Sequence, residues 1–157
     1  MLDHKAKFMI PSAYGPIITD MGTLYFEGNR TILAYHLCGQ REETEKFYIL
    51  HSIDKKDFNG NDIYDGDIVL YEGPHLGNRN ASSAHGRYQD LGSQNIMVII
   101  YNNRNKSFSM TGDVSSYGKK SASLATTGTL TVIGNVFMNS DLIQNKPWYK
   151  SLPVIYR

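Results

Sequence analysis

The run Asn59-Gly60-Asn61-Asp62-Ile63-Tyr64-Asp65-Gly66-Asp67-Ile68-Val69 constrains this chain more than any other stretch. It alternates turn chemistry with β-formers. Asn59-Gly60 is a strong turn dipeptide, because both residues tolerate positive φ at low cost. Ile63-Tyr64 follows. Gly66 then lets the chain turn sharply into Ile68-Val69-Leu70-Tyr71, and Asp67 can accept backbone N–H bonds that hold the turn. Ile68 and Leu70 face one side of that strand, Val69 and Tyr71 the other.

The rest of the chain reads the same way. Leu24-Tyr25-Phe26 and Thr31–Leu37 flank Glu27-Gly28-Asn29-Arg30, which predicts a hairpin. Glu42–Glu45 reads as a charged connection, and Lys46–Leu50 as the next strand. Ile96–Tyr101 is a nearly continuous apolar run, so it predicts a strand buried on both faces. Asn102–Lys106 turns the chain, and Ser107–Met110 returns as the hairpin partner. Thr129–Ile133 is the last clear strand. The expected core strands contain Ile68, Leu70, Val98, Ile100, Leu130 and Val132. Asn139–Gln144 predicts one or two helical turns capped by Asn139, with Asp141 at the positive end and Pro147 preventing extension. Two stretches, 73–95 and 112–127, are polar and rich in Gly and Ser and read as inserted loops. Composition agrees with a β-rich chain: 11 Tyr and 14 Gly favour pleated surfaces and turns over long helices.

The 157 residues suffice for one domain with a real core. The expected layout is an N-terminal β-hairpin extension over 1–53, packed on a β-barrel domain over 54–157. Lys and Arg total 16 against 15 for Asp and Glu, so no global charge draws the chain to nucleic acid or membrane. The single cysteine, Cys38, excludes a disulfide framework within the chain. Met1–Ile10 does not read as a secretory signal, and no apolar stretch approaches the roughly 20 residues of a membrane span. A cytoplasmic protein is the simplest expectation.

Each chemical constellation competes with a plainer reading. The acids Asp54, Asp57, Asp62, Asp65 and Asp67 invite a calcium loop. That loop needs Gly at its sixth position and Glu at its twelfth. Neither register, from Asp54 or from Asp57, supplies them, so turn-forming acids are the better reading. Gly118-Lys119-Lys120-Ser121 lacks the upstream Gly and the hydroxyl directly after the first Lys that a phosphate loop requires. His36 and Cys38 would share a strand face, but no third residue orients them, and a free Cys is usually buried filler. No metal or cofactor is expected. His75, Arg79, His85, Arg87 and Tyr88 in the first long loop, with Lys119 and Lys120 in the second, form the best candidate contacts for a partner or nucleic acid. The apolar tail, with Trp148, Tyr149, Leu152, Ile155 and Tyr156, is the candidate self-association surface.

Two blocks together resemble a known family. Asn59-Gly60 with Ile63–Val69, and Val132-Ile133-Gly134-Asn135-Val136-Phe137-Met138-Asn139-Ser140-Asp141-Leu142-Ile143, resemble the "NGxxIYEGDIV" and "xVIGNIYENPELL" blocks of the YopX-like phage and prophage proteins. Asp65 stands where the family usually has Glu, and Ser140-Asp141 where it has Pro-Glu. The resemblance implies a mainly β fold, an SH3-like small barrel or roll, and a tendency to self-associate in a bacterial host cell. It implies no catalytic residues. The expected function is therefore a non-enzymatic phage or prophage accessory protein that forms homo-oligomers and binds a host or phage protein. The alternatives are a nucleic-acid-binding small barrel using Arg79, Arg87, Lys119 and Lys120, and a metal-dependent hydrolase using the Asp62–Asp67 carboxylates.

Overall fold

Short antiparallel strands carry the regular structure of the computed structural model, which describes residues 6–72, 95–112, 122–123 and 129–157. The chain is mainly β, with a curled antiparallel half-barrel sheet and no long helix. It divides into two compact units, Met1–Ser52 and Ile53–Arg157.

The first unit holds β1 (Ala6–Ile10), β2 (Ile17–Thr19), β3 (Gly22–Glu27), β4 (Arg30–Leu37), β5 (Gln40–Thr44) and the start of β6 (Tyr48–Lys56). β1 pairs with β2 and with the first residues of β6. β3, β4 and β5 form a separate sheet with β4 in the middle. The hairpin expected around Glu27–Arg30 is present, with Gly28 at φ 63° supplying the left-handed turn position. Glu42–Glu45 is not a connection. Gln40–Thr44 is an edge strand, and its Arg41, Glu42 and Glu43 suit an edge, where charge discourages further pairing. β1 and β2 were not foreseen either, since neither alternates long enough to stand out. Register places Leu33 and Tyr35 on one face of β4, and they pack with Phe8 and Ile10 of β1. Phe47 adds an edge-on ring contact to Phe8.

The second unit begins inside β6, where Asp54 adopts φ 58°. A left-handed residue within a strand locally re-aims the chain. There follow β7 (Asp62–Tyr64), β8 (Asp67–Glu72), β9 (Asn95–Asn102), β10 (Ser107–Gly112), β11 (Ala122–Ser123) and β12 (Thr129–Asn135). β8 to β12 make one sheet in the order β11-β10-β9-β8-β12, so the last strand returns beside β8. Ile68 pairs with Val98 and Val69 with Met97. β12 carries a bulge between Val132 and Gly134.

This sheet is buried on both faces, as the apolar run in β9 predicts. One face holds Val69, Tyr71, Met97, Ile99 and Met110, packed with Ile53 and Ile63. The other holds Ile68 and Val98, packed with Val136, Ile143, Trp148, Leu152 and Tyr156. Of the six expected core residues, Ile68 and Val98 are fully buried, while Leu70, Ile100, Leu130 and Val132 are partly so. Gly112, opposite Met97, is required by space, since a Cβ there would land on the Ile96 carbonyl oxygen.

The expected helix is reduced to a 3-10 turn over Ser140–Leu142. Asn139 makes no side-chain cap bond to it. Its Oδ1 instead accepts from the Asn135 N–H at 3.1 Å and lies over Gly134, so the side chain reaches back to β12.

Candidate functional site

The two blocks singled out in the sequence meet in space. β8 and β12 are neighbours, with Asp67 opposite Asn135 and Ile68 opposite Gly134. The Val136 N–H donates to the Gly66 carbonyl at 2.8 Å, and the Gly66 N–H donates to the Ile99 carbonyl at 2.7 Å. Gly66 has φ 84°, and a Cβ there would come within 2.9 Å of the Phe137 ring. Glycine is therefore required twice, by conformation and by the ring above it.

Asp57 ties the Asn59-Gly60 turn to β12. Its Oδ1 accepts from the N–H groups of Asn59 (2.9 Å) and Asn61 (2.8 Å). Its Oδ2 accepts from the Asn61 side-chain amide (3.3 Å) and the Val132 N–H (3.0 Å). The Phe58 N–H, next in sequence, donates to the Leu130 carbonyl. Burial works against the charged carboxylate, but the donated bonds from Val132, Asn61 and Asn59 outweigh it and hold Asp57 below the usual aspartate range.

Asp65 is buried beneath the tail. The Tyr156 hydroxyl donates to its Oδ2 at 3.1 Å, and the same oxygen of Tyr156 accepts from the Tyr101 N–H at 3.1 Å. Burial first, then the charge of Asp65, pushes the Tyr156 phenol well above its ordinary value. Asp62 and Asp67 also serve structure. Asp67 Oδ2 accepts from the Tyr64 N–H at 2.8 Å, and Asp62 pairs with Lys56 at 3.0 Å. Asp57, Asp65 and Asp67 are thus each engaged in holding a turn or the tail. Among the described residues, no three His, Cys, Asp or Glu side chains converge as metal ligands.

Cys38 is not buried filler and does not share a strand face with His36. It is exposed at φ 52° beside Gly39 at φ 82°, in the tight turn joining β4 to β5, while His36 lies on β4 opposite Arg41. His75, Arg79, His85, Arg87, Tyr88, Lys119 and Lys120 lie outside the described residues. The tail candidates divide. Trp148, Leu152 and Tyr156 are buried in their own unit, Tyr149 is half-buried, and Ile155 is exposed beside Val154.

Sequence reasoning did not find the roles of Asp57 and Tyr156. Asp57 carried a local signal, an acid just upstream of Asn59-Gly60-Asn61 that can accept their N–H groups. Tyr156 carried none, because its partner Asp65 is 91 residues away. Nor did it mark Phe26, 78% exposed on the edge strand β3, with Leu24 on the same strand face at 37%.

Among the described residues, a curled antiparallel sheet whose two signature blocks lock on each other, with Asp57 and Asp67 holding turns at that junction, defines a small β-structured protein. The chain belongs to the YopX protein family, whose model matches residues 23–144. No curated protein and no solved structure matches it. The matched span includes both blocks and ends before the tail anchors. No helix among the described residues is long and apolar enough to cross a membrane.

Proposed function

We propose that this protein is a non-enzymatic accessory protein of phage or prophage origin that acts by binding, through self-association and contact with a host or phage protein. The observation that carries the reading is the edge strand β3. It runs uncharged from Gly22 to Phe26, and its Leu24 and Phe26 stand exposed on one face. The other edge of the same sheet, β5, is guarded by Arg41, Glu42 and Glu43. An unguarded apolar edge offers backbone groups and side chains for pairing with another chain. The acids Asp57, Asp65 and Asp67 support the same reading, since they are engaged in turns and in holding the tail. The meander β8-β9-β10, with β12 returning beside β8, supports placing the curled sheet among SH3-like small barrels.

Sedimentation of the full chain across micromolar concentrations tests this function. The expected result is a concentration-dependent dimer or larger species that Phe26→Lys weakens while the fold is kept. A strict monomer throughout that range overturns the assembly part.

A further inference from the structure

Asn59-Gly60 is the only Asn-Gly pair in the chain, and the pair is chemically reactive. The Gly60 nitrogen, once it has given its proton to a base in solvent, can attack the Asn59 side-chain carbonyl carbon, Cγ. The N–Cγ bond forms, the Cγ–Nδ2 bond breaks, and the amide leaves as ammonia with a proton from water. Water then opens the succinimide ring at either carbonyl. One opening leaves an ordinary aspartate. The other leaves an isoaspartate, whose backbone runs through the side-chain carbon. Nothing is oxidised or reduced. A side chain on the following residue hinders the attack, and glycine carries none. Asn59 and Gly60 are both exposed, and a Cβ at Gly60 would meet nothing within 4 Å, so water and base reach the pair.

The turn restrains that attack. The Gly60 N–H donates to the Asp57 backbone carbonyl at 3.0 Å, so the nitrogen that must lose its proton and reach Cγ is held inside the turn. The Asn59 and Asn61 N–H groups donate to Asp57 Oδ1 at 2.9 and 2.8 Å and fix the backbone on both sides. The Gly60 carbonyl accepts from Lys56 Nζ at 3.4 Å. Reaction therefore passes through local opening of the turn, and its rate follows the population of the opened form. Asp65-Gly66 supplies the contrast. It can close the same ring by loss of water, and Gly66 has the same φ of 84° as Gly60. Both of its residues are buried, and the Gly66 N–H donates to the Ile99 carbonyl of β9. Freeing that pair requires the core to open, a larger event than opening one turn.

We propose that Asn59 is a self-modification site gated by the Asp57-anchored turn, and that its conversion to isoaspartate loosens the tie between that turn and β12. Isoaspartate adds one methylene to the backbone between the two N–H groups that share Asp57 Oδ1, which moves them apart. It also places a new carboxylate beside that of Asp57, and like charges oppose each other. Asp57 holds the Val132 N–H at 3.0 Å as well, so the disturbance passes to β12.

The test incubates the full chain at mildly alkaline pH as folded wild type, as folded Asp57→Ala and as wild type in guanidinium chloride. After digestion, mass spectrometry reads the amide-to-acid conversion, and chromatography against synthetic isoaspartyl peptides identifies the product. Conversion at Asn59 is expected to be fastest in denaturant and slowest in the folded wild type. Folded Asp57→Ala should convert about fivefold faster than the folded wild type, the factor that a loss of ~1 kcal/mol in turn stability gives. Asp57→Asn, which drops the charge and keeps an oxygen acceptor, takes its place should the Ala variant not fold. Isoaspartate at position 65 is expected only in denaturant. The purified converted chain should unfold at a lower denaturant concentration than its parent. A folded wild type that converts as fast as the unfolded chain, or a folded variant that converts no faster than the wild type, overturns the gate. An unfolded chain that does not convert overturns the site. A converted chain with its parent's unfolding midpoint overturns the loosening of the junction.

Discussion

Asp57 shows how one carboxylate can organise a junction through four donated bonds. Replacing it with Ala leaves part-buried N–H groups without this acceptor, which costs about 1 kcal/mol. Urea unfolding of Asp57→Ala is expected to show that loss. The pH dependence has a definite sign. The folded carboxyl titrates below its ordinary value, so its contribution is complete above about pH 3.9, the unfolded aspartate value, and disappears as pH falls through the lower folded value. The stability gap between the wild type and Asp57→Asn should therefore shrink on acidification below about pH 4. Two glycines give a second contrast. Gly60 and Gly66 share φ 84°, but a Cβ at Gly60 meets open space and one at Gly66 meets Phe137. Gly60→Ala should cost about 1–2 kcal/mol for the left-handed backbone alone. Gly66→Ala should cost a further ~1–3 kcal/mol for displacing the ring, visible in the same unfolding curves.

Among the elements, the tail is read least well from sequence, yet its Trp148, Leu152 and Tyr156 are buried in the core. Its apolar character announces that it must be covered, but not which residues face inward. Trp148→Ala removes a buried ring from the second face of the sheet and should lower stability by about 3–5 kcal/mol. Val154→Ala, at a position 77% exposed, should be within about 0.5 kcal/mol of neutral. Thermal denaturation of the two variants separates them. Tyr156→Phe tests the polar anchor. The folded phenol titrates above its ordinary value, so its contribution is intact below about pH 10 and is lost as pH rises through the raised folded value. The wild type should lose its advantage over Tyr156→Phe only in alkaline solution, measured by circular dichroism. The charged strand β5 carries the opposite lesson. Its residues look like a loop by composition, and only pairing with β4 makes them a strand.

For the whole molecule, association makes stability depend on concentration. If the folded chain self-associates, its melting temperature should rise with protein concentration, because partner binding draws on the folded state alone. Phe26→Lys should flatten that dependence and leave the dilute-limit melting temperature nearly unchanged, since the ring is exposed in the single chain. Differential scanning calorimetry over a hundredfold concentration range, about 1–100 μM, checks it.

The sequence by itself determined the mainly β class, the turns at Asn59-Gly60 and Gly66, the two-sided burial of β9 and membership of the family. These follow from local rules: positive φ selects Gly and Asn, alternation selects strands, and a continuous apolar run demands cover on both sides. Only the tertiary structure decided that the two blocks touch, that Asp57 reaches Val132, that Tyr156 meets Asp65, and that the tail supplies the cover β9 demands. Those contacts join residues far apart in the chain. A side chain's local pattern states that it needs a partner, whereas the choice of partner depends on how the strands are ordered and which face each one presents. The run Asn59–Val69 accordingly reads as half of a junction, and the other half is visible only once β12 lies beside β8.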